Sequence, residues 1–383
     1  MKKLLIIAGT ANDVFIYKMS MWLKKSMDID IDIYEFYPSV QQQQDVEKYA
    51  NVYSSNIDKW FCKIKGIGYS LMQVYSGKQL GTFLQSKEYD YIHCHWLVSS
   101  LVINNGLKKH CKKLYVTFWG GEVFVQKIML SHSLYMMGLK RLLKETDNIV
   151  GYFAEREFYE KLFTDFKGRY LSANLAPTIL EDLYDLMKVE SKDISKEKLG
   201  VTKGKKLVLI GYSGKSIHQH LEIIKELSHR DELKSKLCLL APMTRGASPN
   251  YVTEVECSLK NSGFEYILYK NQFFTEEMMA RLRNATDITL QLSTRDAYSR
   301  SIIECLCAKS VLIYADWLKY DPFFAYDGFE AIKVKSIHHA VDKLAEITDS
   351  LSDFERVVEK NSINGKRHNL WSECIHEWVN LYK

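Results

Sequence analysis

Short apolar runs alternate with helix-length segments along most of this chain, and that alternation limits the folds open to it more than any other feature. KLLIIAG, IDIDIYEFY, DYIHCHW, KLYVTFWGG and NIVGYFA read as strands, with helical patterns such as FIYKMSMWLKK between them. A helix-length connection is what a parallel crossover needs, so the pattern predicts a parallel sheet with helices on both faces. After about residue 205 the alternation starts again with KLVLIGYSG and runs through KLCLLAPM, EYILYKN, DITLQLS and SVLIYAD.

The chain has 383 residues, of which 46% are hydrophobic and 26% charged. That supports two packed domains of roughly 150 to 200 residues each. The fold class is therefore α/β, with two Rossmann-like domains. Between 183 and 206 the text turns charged and poor in large apolar residues, and the interdomain linker is expected there. The domains are set at 1–185, 203–365 and a terminal helix at 366–383. In that helix Trp371, Ile375, Trp378 and Leu381 fall on one face, so it is expected to pack back on the N-terminal domain.

The net charge of +5 suits anionic small molecules or an anionic membrane surface and is too modest for a dedicated nucleic-acid binder. Eight cysteines occur without a CxxC pair and read as reduced core residues of a cytoplasmic protein. The opening MKKLLIIAG has too short an apolar run for a signal peptide and reads as a buried first strand. No window matches a membrane span, so any membrane contact is expected to be peripheral. QQQQ at 41–44 is expected on the surface. Asp28, Asp30 and Asp32 resemble an Asp-x-Asp metal site but fit the polar face of a strand, and no metal site is expected.

GYSGKSIHQH at 211–220 joins an apolar strand to a helical run. Small Ser213 and Gly214 allow main-chain amides to approach an anion, the helix start adds positive potential, and Lys215 adds a cation. His218 and His220 fall in the first helical turn, within reach of phosphate. A tight turn with exposed histidines fits the same text. STRDAYSRSIIE at 293–304 follows the strand DITLQL and carries Asp296 and Glu304, eight residues apart. Both are placed at the carboxyl end of the second sheet, where ligands of such sheets bind. Glu304 lies in the apolar run SIIECLCAKSVLI, where a carboxylate needs a partner.

LQLSTRDAYSRSIIECLCAKSVLIYAD resembles the donor-site signature of retaining GT-B glycosyltransferases of family 4, which have two acidic residues separated by seven others. Asp296 stands where those enzymes usually have Glu, Glu304 matches the second acid, and Lys309 replaces the usual Gly. The resemblance implies that Glu304 binds the nucleotide ribose. It also implies that Asp296, with the loop of Ala297, Tyr298 and Ser299, meets the donor sugar. Replacing Glu304 by Ala is then expected to weaken nucleotide binding and leave the fold intact.

GYSGKSIHQHLEII, APMTRG and Tyr251 are also similar to the fucosamine-derivative transferases of enterobacterial common antigen synthesis, with His220 at the family His. Arg245 and Lys270 are further cations for the diphosphate. In the first half, IHCHW and TFWGGEVF resemble the acceptor-side loops of the same groups. That likeness makes Trp119 and Gly120 acceptor-binding and His95 and Glu122 catalytic, with Glu122 as base. The alternative is that His93 and His95 alternate across their strand, one of them being a satisfied core residue.

Together these resemblances imply a GT-B chain with an interdomain cleft. Its expected activity is metal-independent transfer from a UDP-, GDP- or dTDP-linked donor to a glycan or lipid-linked acceptor, with retention favoured and no cofactor. Surface polysaccharide synthesis, O-antigen or capsule, at the inner face of the cell membrane is the expected setting, and segment 58–78 is the candidate membrane contact. A nucleotide-sugar 2-epimerase and a non-catalytic binding protein share the same architecture.

Overall fold

In the computed structural model the chain is described except for residues 10–13, 38–45, 57–67, 103–105, 120–129, 245, 271 and 273. It divides into two compact units, one formed by Met1–Leu175 with Cys374–Lys383 and the other by Ala176–Glu373.

The sheet of the first unit contains β1 (Lys2–Ala8), β2 (Ile29–Glu35), β3 (Asn51–Ser54), β4 (Tyr89–His95), β5 (Cys111–Thr117), β6 (Asn148–Gly151) and β7 (Arg169–Ser172). The strand order is β3-β2-β1-β4-β5-β6-β7, and every described pairing is parallel. Central strands such as β1 are buried along nearly their whole length, which is why they read as unbroken apolar runs. In β2, Asp32 accepts from Asn51 Nδ2 (2.9 Å) and Tyr89 Oη (2.7 Å) and pairs with Lys87 (3.3 Å). The aspartates of β2 thus line the polar side of a strand.

The second unit repeats the plan with β8 (Lys206–Ile210), β9 (Leu237–Met243), β10 (Glu265–Lys270), β11 (Ile288–Gln291), β12 (Val311–Ala315) and β13 (Ile332–Val334). The order β10-β9-β8-β11-β12-β13 is again parallel throughout the described pairings. Both sheets reverse their strand order once, between β1 and β4 and between β8 and β11. Such reversal points are where doubly wound sheets bind ligands.

Residues 183–206, read from sequence as a linker, instead belong to the second unit and include most of helix Leu180–Val189 and the helix Lys192–Lys198. Their charges are paired within that unit. Glu190 is buried and accepts from Lys198 (2.5 Å), Ser195 (2.6 Å) and Arg281 (3.1 Å). Burial pushes its carboxyl up, but these hydrogen bonds prevail and hold it at about 2. Lys196 pairs with buried Asp287 (3.3 Å), which also accepts from the Leu207 amide of β8 (2.8 Å). A charged stretch thus docks as an ion-paired seam.

Helix Trp371–Leu381 contributes its residues from Cys374 onward to the first unit. Trp378 is fully buried, stacks on His95 (5.9 Å, 29°) and donates from Nε1 to Asn174 O (2.8 Å). Beyond it, Tyr115 Oη donates to Leu381 O (2.8 Å). Trp378→Ala should therefore cost about 3–5 kcal/mol, the usual price of emptying a large aromatic site. Urea unfolding of the full chain checks this, and a loss below about 1 kcal/mol would contradict the packing described.

Candidate functional site

The turn after β8 and the loop after β11 meet at the reversal point of the second sheet. Gly211 opens the turn at φ +69°, and a Cβ there would lie 2.7 Å from His220 Nε2. At Gly214 a Cβ would meet the Ala247 methyl at 2.5 Å. Only glycine fits both places. A short 3₁₀ turn, Ser216–His218, intervenes before helix His220–Ser228, so the turn does not run straight into the helix.

His218 bridges the two loops. Its Nε2 is 2.9 Å from Ser213 Oγ and its Nδ1 is 2.8 Å from Ser293 Oγ. Ser293 Oγ donates to Gln291 Oε1 (3.2 Å), Gln291 Nε2 donates to Tyr320 Oη (2.7 Å), and Tyr320 Oη donates to Asp296. Asp296 accepts as well from Tyr212 Oη and from the Ser299 amide (2.8 Å). As a carboxylate it is acceptor-only, and that fixes the direction of the whole chain. The Ser293 proton is spent on Gln291, so Ser293 accepts from His218 Nδ1–H. His218 Nε2 must then accept the Ser213 hydroxyl proton. Ser213 consequently faces any ligand with its amide and its oxygen lone pairs, not with its hydroxyl proton.

His218 and His220 are buried and not exposed at a helix start. His220 Nδ1 lies 3.2 Å from Tyr251 Oη. Burial, helped by His220 and Lys215, lowers His218 to about 3, and burial lowers His220 to about 4. Both are therefore neutral at pH 7, and neither supplies charge for a phosphate. Lys215 is exposed, with its stem against Gly246, and makes no ion pair among the described residues. Lys270 is placed otherwise: it ends the edge strand β10, separated from β8 by β9, and is neutralised by Glu256 (2.6 Å). Arg245 lies outside the described residues.

Glu304 finds its partner inside the protein. Its Oε2 accepts from Arg283 Nε at 3.0 Å, with the two side chains 7% and 2% exposed. Burial works against the Arg283 charge, but Cys305, Glu304 and Tyr212 outweigh it and raise the guanidinium pKa. Arg283 was not singled out from sequence; its place on the buried side of helix Glu276–Ala285 is the one signal that points to it. Tyr298 sits at φ +57° with its side chain turned inward, stacked on Phe323 (4.4 Å) and donating to Asp327 (2.8 Å). Lys309 takes φ +60°, the left-handed conformation in which glycine is favoured.

In the first unit His93 and His95 do not alternate. Residues two apart on a strand share a face, and their rings lie 4.2 Å apart. His93 is satisfied by Tyr382 Oη (2.5 Å) and Thr117 Oγ1 (2.8 Å), whereas both ring nitrogens of fully buried His95 lack a partner among the described residues. Burial holds His95 at about 3 and His93 well below its ordinary value. An imidazole that weakly basic is a hydrogen-bonding group, not a base for neutral pH. Trp119 meets it edge to face at 6.2 Å. Gly120 and Glu122 lie outside the described residues, as do QQQQ and much of 58–78.

Among solved structures the chain superposes along its whole length on several proteins. A sucrose-phosphate synthase from Thermosynechococcus elongatus matches with a TM-score of 0.75 and 11% identity, over 100% of this chain and 98% of that one. WaaG, a glycosyltransferase involved in lipopolysaccharide biosynthesis, matches at 0.70 and 12%, over 99% of both chains. Anabaena HepE, in complex with UDP and glucose, matches at 0.70 and 11%, over 100% and 99%. The fold is GT-B. No family model matches the sequence, and no curated protein matches it either. Among the described residues no helix is long and apolar enough to cross a membrane.

Two outcomes follow from this geometry. Glu304→Ala leaves a buried guanidinium unpaired and should cost about 3–5 kcal/mol, so the fold is not indifferent to it; urea unfolding reads the loss. For the histidines the unfolded chain takes up protons near pH 6.5, but the folded chain resists until about 3 at His95 and His218 and about 4 at His220. The contribution of these three histidines is therefore full above pH 6.5 and falls as the pH drops, by about 1.4 kcal/mol per pH unit for each histidine. Unfolding midpoints at pH 7, 6 and 5 should decline in that order, and a flat profile would contradict the assignment.

Proposed function

We propose that this protein is a glycosyltransferase that moves a sugar from a nucleotide-linked donor to a glycan or lipid-linked acceptor. The observation that carries the reading is the built turn at the β8–β11 reversal point, where Ser213, Gly214 and exposed Lys215 offer amides and a cation beside a polar loop. Such a turn suits a diphosphate. Likeness in fold to WaaG, a glycosyltransferase, and to HepE, which holds UDP and glucose, supports the same reading.

In this reading the donor diphosphate sits against the amides of Ser213 and Gly214, and Lys215 meets the charge that develops as it departs. The lone pairs of Ser213 Oγ accept from a donor hydroxyl, and the loop of Asp296 and Ser299 borders the sugar. A retaining course is proposed, on the likeness of the 293–304 segment to retaining enzymes; an inverting one would have to use Glu122 as base, because burial makes His95 a poor one. The field at the turn comes from amides and Lys215, so transfer is proposed to proceed without a divalent ion. Work on a polysaccharide acceptor at the inner face of the membrane belongs to the same proposal.

A thermal-shift panel of UDP-, GDP- and dTDP-sugars tests the reading. One nucleotide class should raise the melting temperature, because a ligand that binds only the folded state stabilises it. Lys215→Ala should weaken that binding about tenfold, the order of a charge-assisted contact to phosphate. Turnover should survive EDTA. No stabilisation by any nucleotide sugar would refute the proposal, and loss of turnover in EDTA would refute its metal-independent form.

A further inference from the structure

Trp96 follows β4 at the reversal point of the first sheet, and its backbone is unusual. It stands at φ +51°, a conformation that a bulky residue adopts only under constraint. The constraint is visible on both sides. Val98 N donates to Trp96 O (2.7 Å), Tyr135 Oη donates to Leu97 O (2.8 Å), and the Leu97 side chain is buried in the core. Strain held this way concentrates at binding and catalytic sites.

The strained backbone turns an indole outward. Trp96 is 44% exposed and lies parallel to Trp119, with ring centroids 5.9 Å apart and planes inclined by 16°. Phe15 braces Trp119 edge-on at 5.1 Å. Gly9, the residue after β1, flanks the pair: a Cβ there would touch the Trp96 ring at 3.8 Å, ordinary contact. A partly exposed indole, backed by a second one, thus occupies the reversal point. Against Trp119 stands His95, fully buried, with neither ring nitrogen partnered among the described residues. A buried polar group left so is rare and points to a ligand that completes it.

We infer that Trp96, backed by Trp119 and neighboured by His95, is a stacking platform for a neutral pyranose ring of the acceptor glycan. The chemistry of the residues selects that class. An indole face takes the C–H face of a sugar ring, while a neutral imidazole offers one donor and one acceptor. Hydroxyls, which both donate and accept, can meet both ring nitrogens; a carboxylate, which only accepts, meets the N–H and leaves the other nitrogen without a donor. The assignment of the sugar to the acceptor rests on the glycosyltransferase reading; the platform itself rests on the geometry of the first unit alone.

The test uses the full chain labelled with 5-fluorotryptophan and followed by fluorine NMR. The probes are the methyl glucopyranosides, galactopyranosides and mannopyranosides, with maltose and lactose. The Trp96 resonance is assigned by its disappearance in Trp96→Phe. At least one probe should move that resonance saturably. Trp96→Ala should weaken the binding about tenfold, while Trp96→Tyr should stay within about threefold of the parent, since it keeps a ring face. Circular dichroism and the melting temperature confirm that the variants fold.

The inference is overturned if no probe moves Trp96, or if Trp96→Ala binds as tightly as Trp96→Tyr. It is also overturned if Trp96→Ala abolishes nucleotide-sugar binding instead, because the residue would then serve the donor, and the glycosyltransferase reading would stand. If the sugars move Trp96 while no nucleotide sugar shifts the melting temperature, the platform is upheld and the glycosyltransferase reading fails.

Discussion

Parallel pairing brings all the carboxyl ends of a sheet to one edge, and a single reversal of strand order parts the connecting loops at one point along it. The chain meets this constraint twice, at β1–β4 and at β8–β11. Its least ordinary residues collect at those points. The second sheet has Gly211, Ser213, Ser293 and Asp296 there, and the first has Gly9, His95 and Trp96. The two points differ in kind: one is a polar cluster tied through its own hydrogen bonds, the other an aromatic pair beside an imidazole that has no partner among the described residues.

The polar cluster shows how a charge at one end of a network orders the other. Asp296 can only accept, so each donor along the line through Tyr320, Gln291, Ser293 and His218 has one usable direction. A buried polar group left unpaired costs about 1–3 kcal/mol, which is why such a line is kept complete or not built at all. The neutrality of His218 is part of the same design, since a protonated ring could not accept from Ser213.

Most of the strands that could be read from sequence are buried on both faces, where a parallel strand becomes an unbroken apolar run; β10, a partly exposed edge strand, was legible from its run EYILYK alone. The strands that escaped notice, β3, β7 and β13, all lie at sheet edges, are short and are partly exposed. The charged stretch from 183 to 206 misled for a related reason. A solvated linker and an ion-paired seam have the same composition, and only the fold brings Glu190 to Arg281 or Lys196 to Asp287. At the site, the glycine-rich turn and the carboxylates at 296 and 304 could be picked out, but their partners lie 24 and 21 residues away. The shared face of His93 and His95 needed no structure, because a spacing of two on a strand already dictates it.

The first unit is assembled from the two ends of the chain, with Cys374–Lys383 closing a core begun at Lys2. During synthesis the ribosome releases β1 to β7 well before Trp378 and Tyr382, and the second unit can fold in the meantime. His93 and Tyr115 wait through that interval without the residues that cover them. The first unit therefore stays unfinished until Cys374–Lys383 have been made.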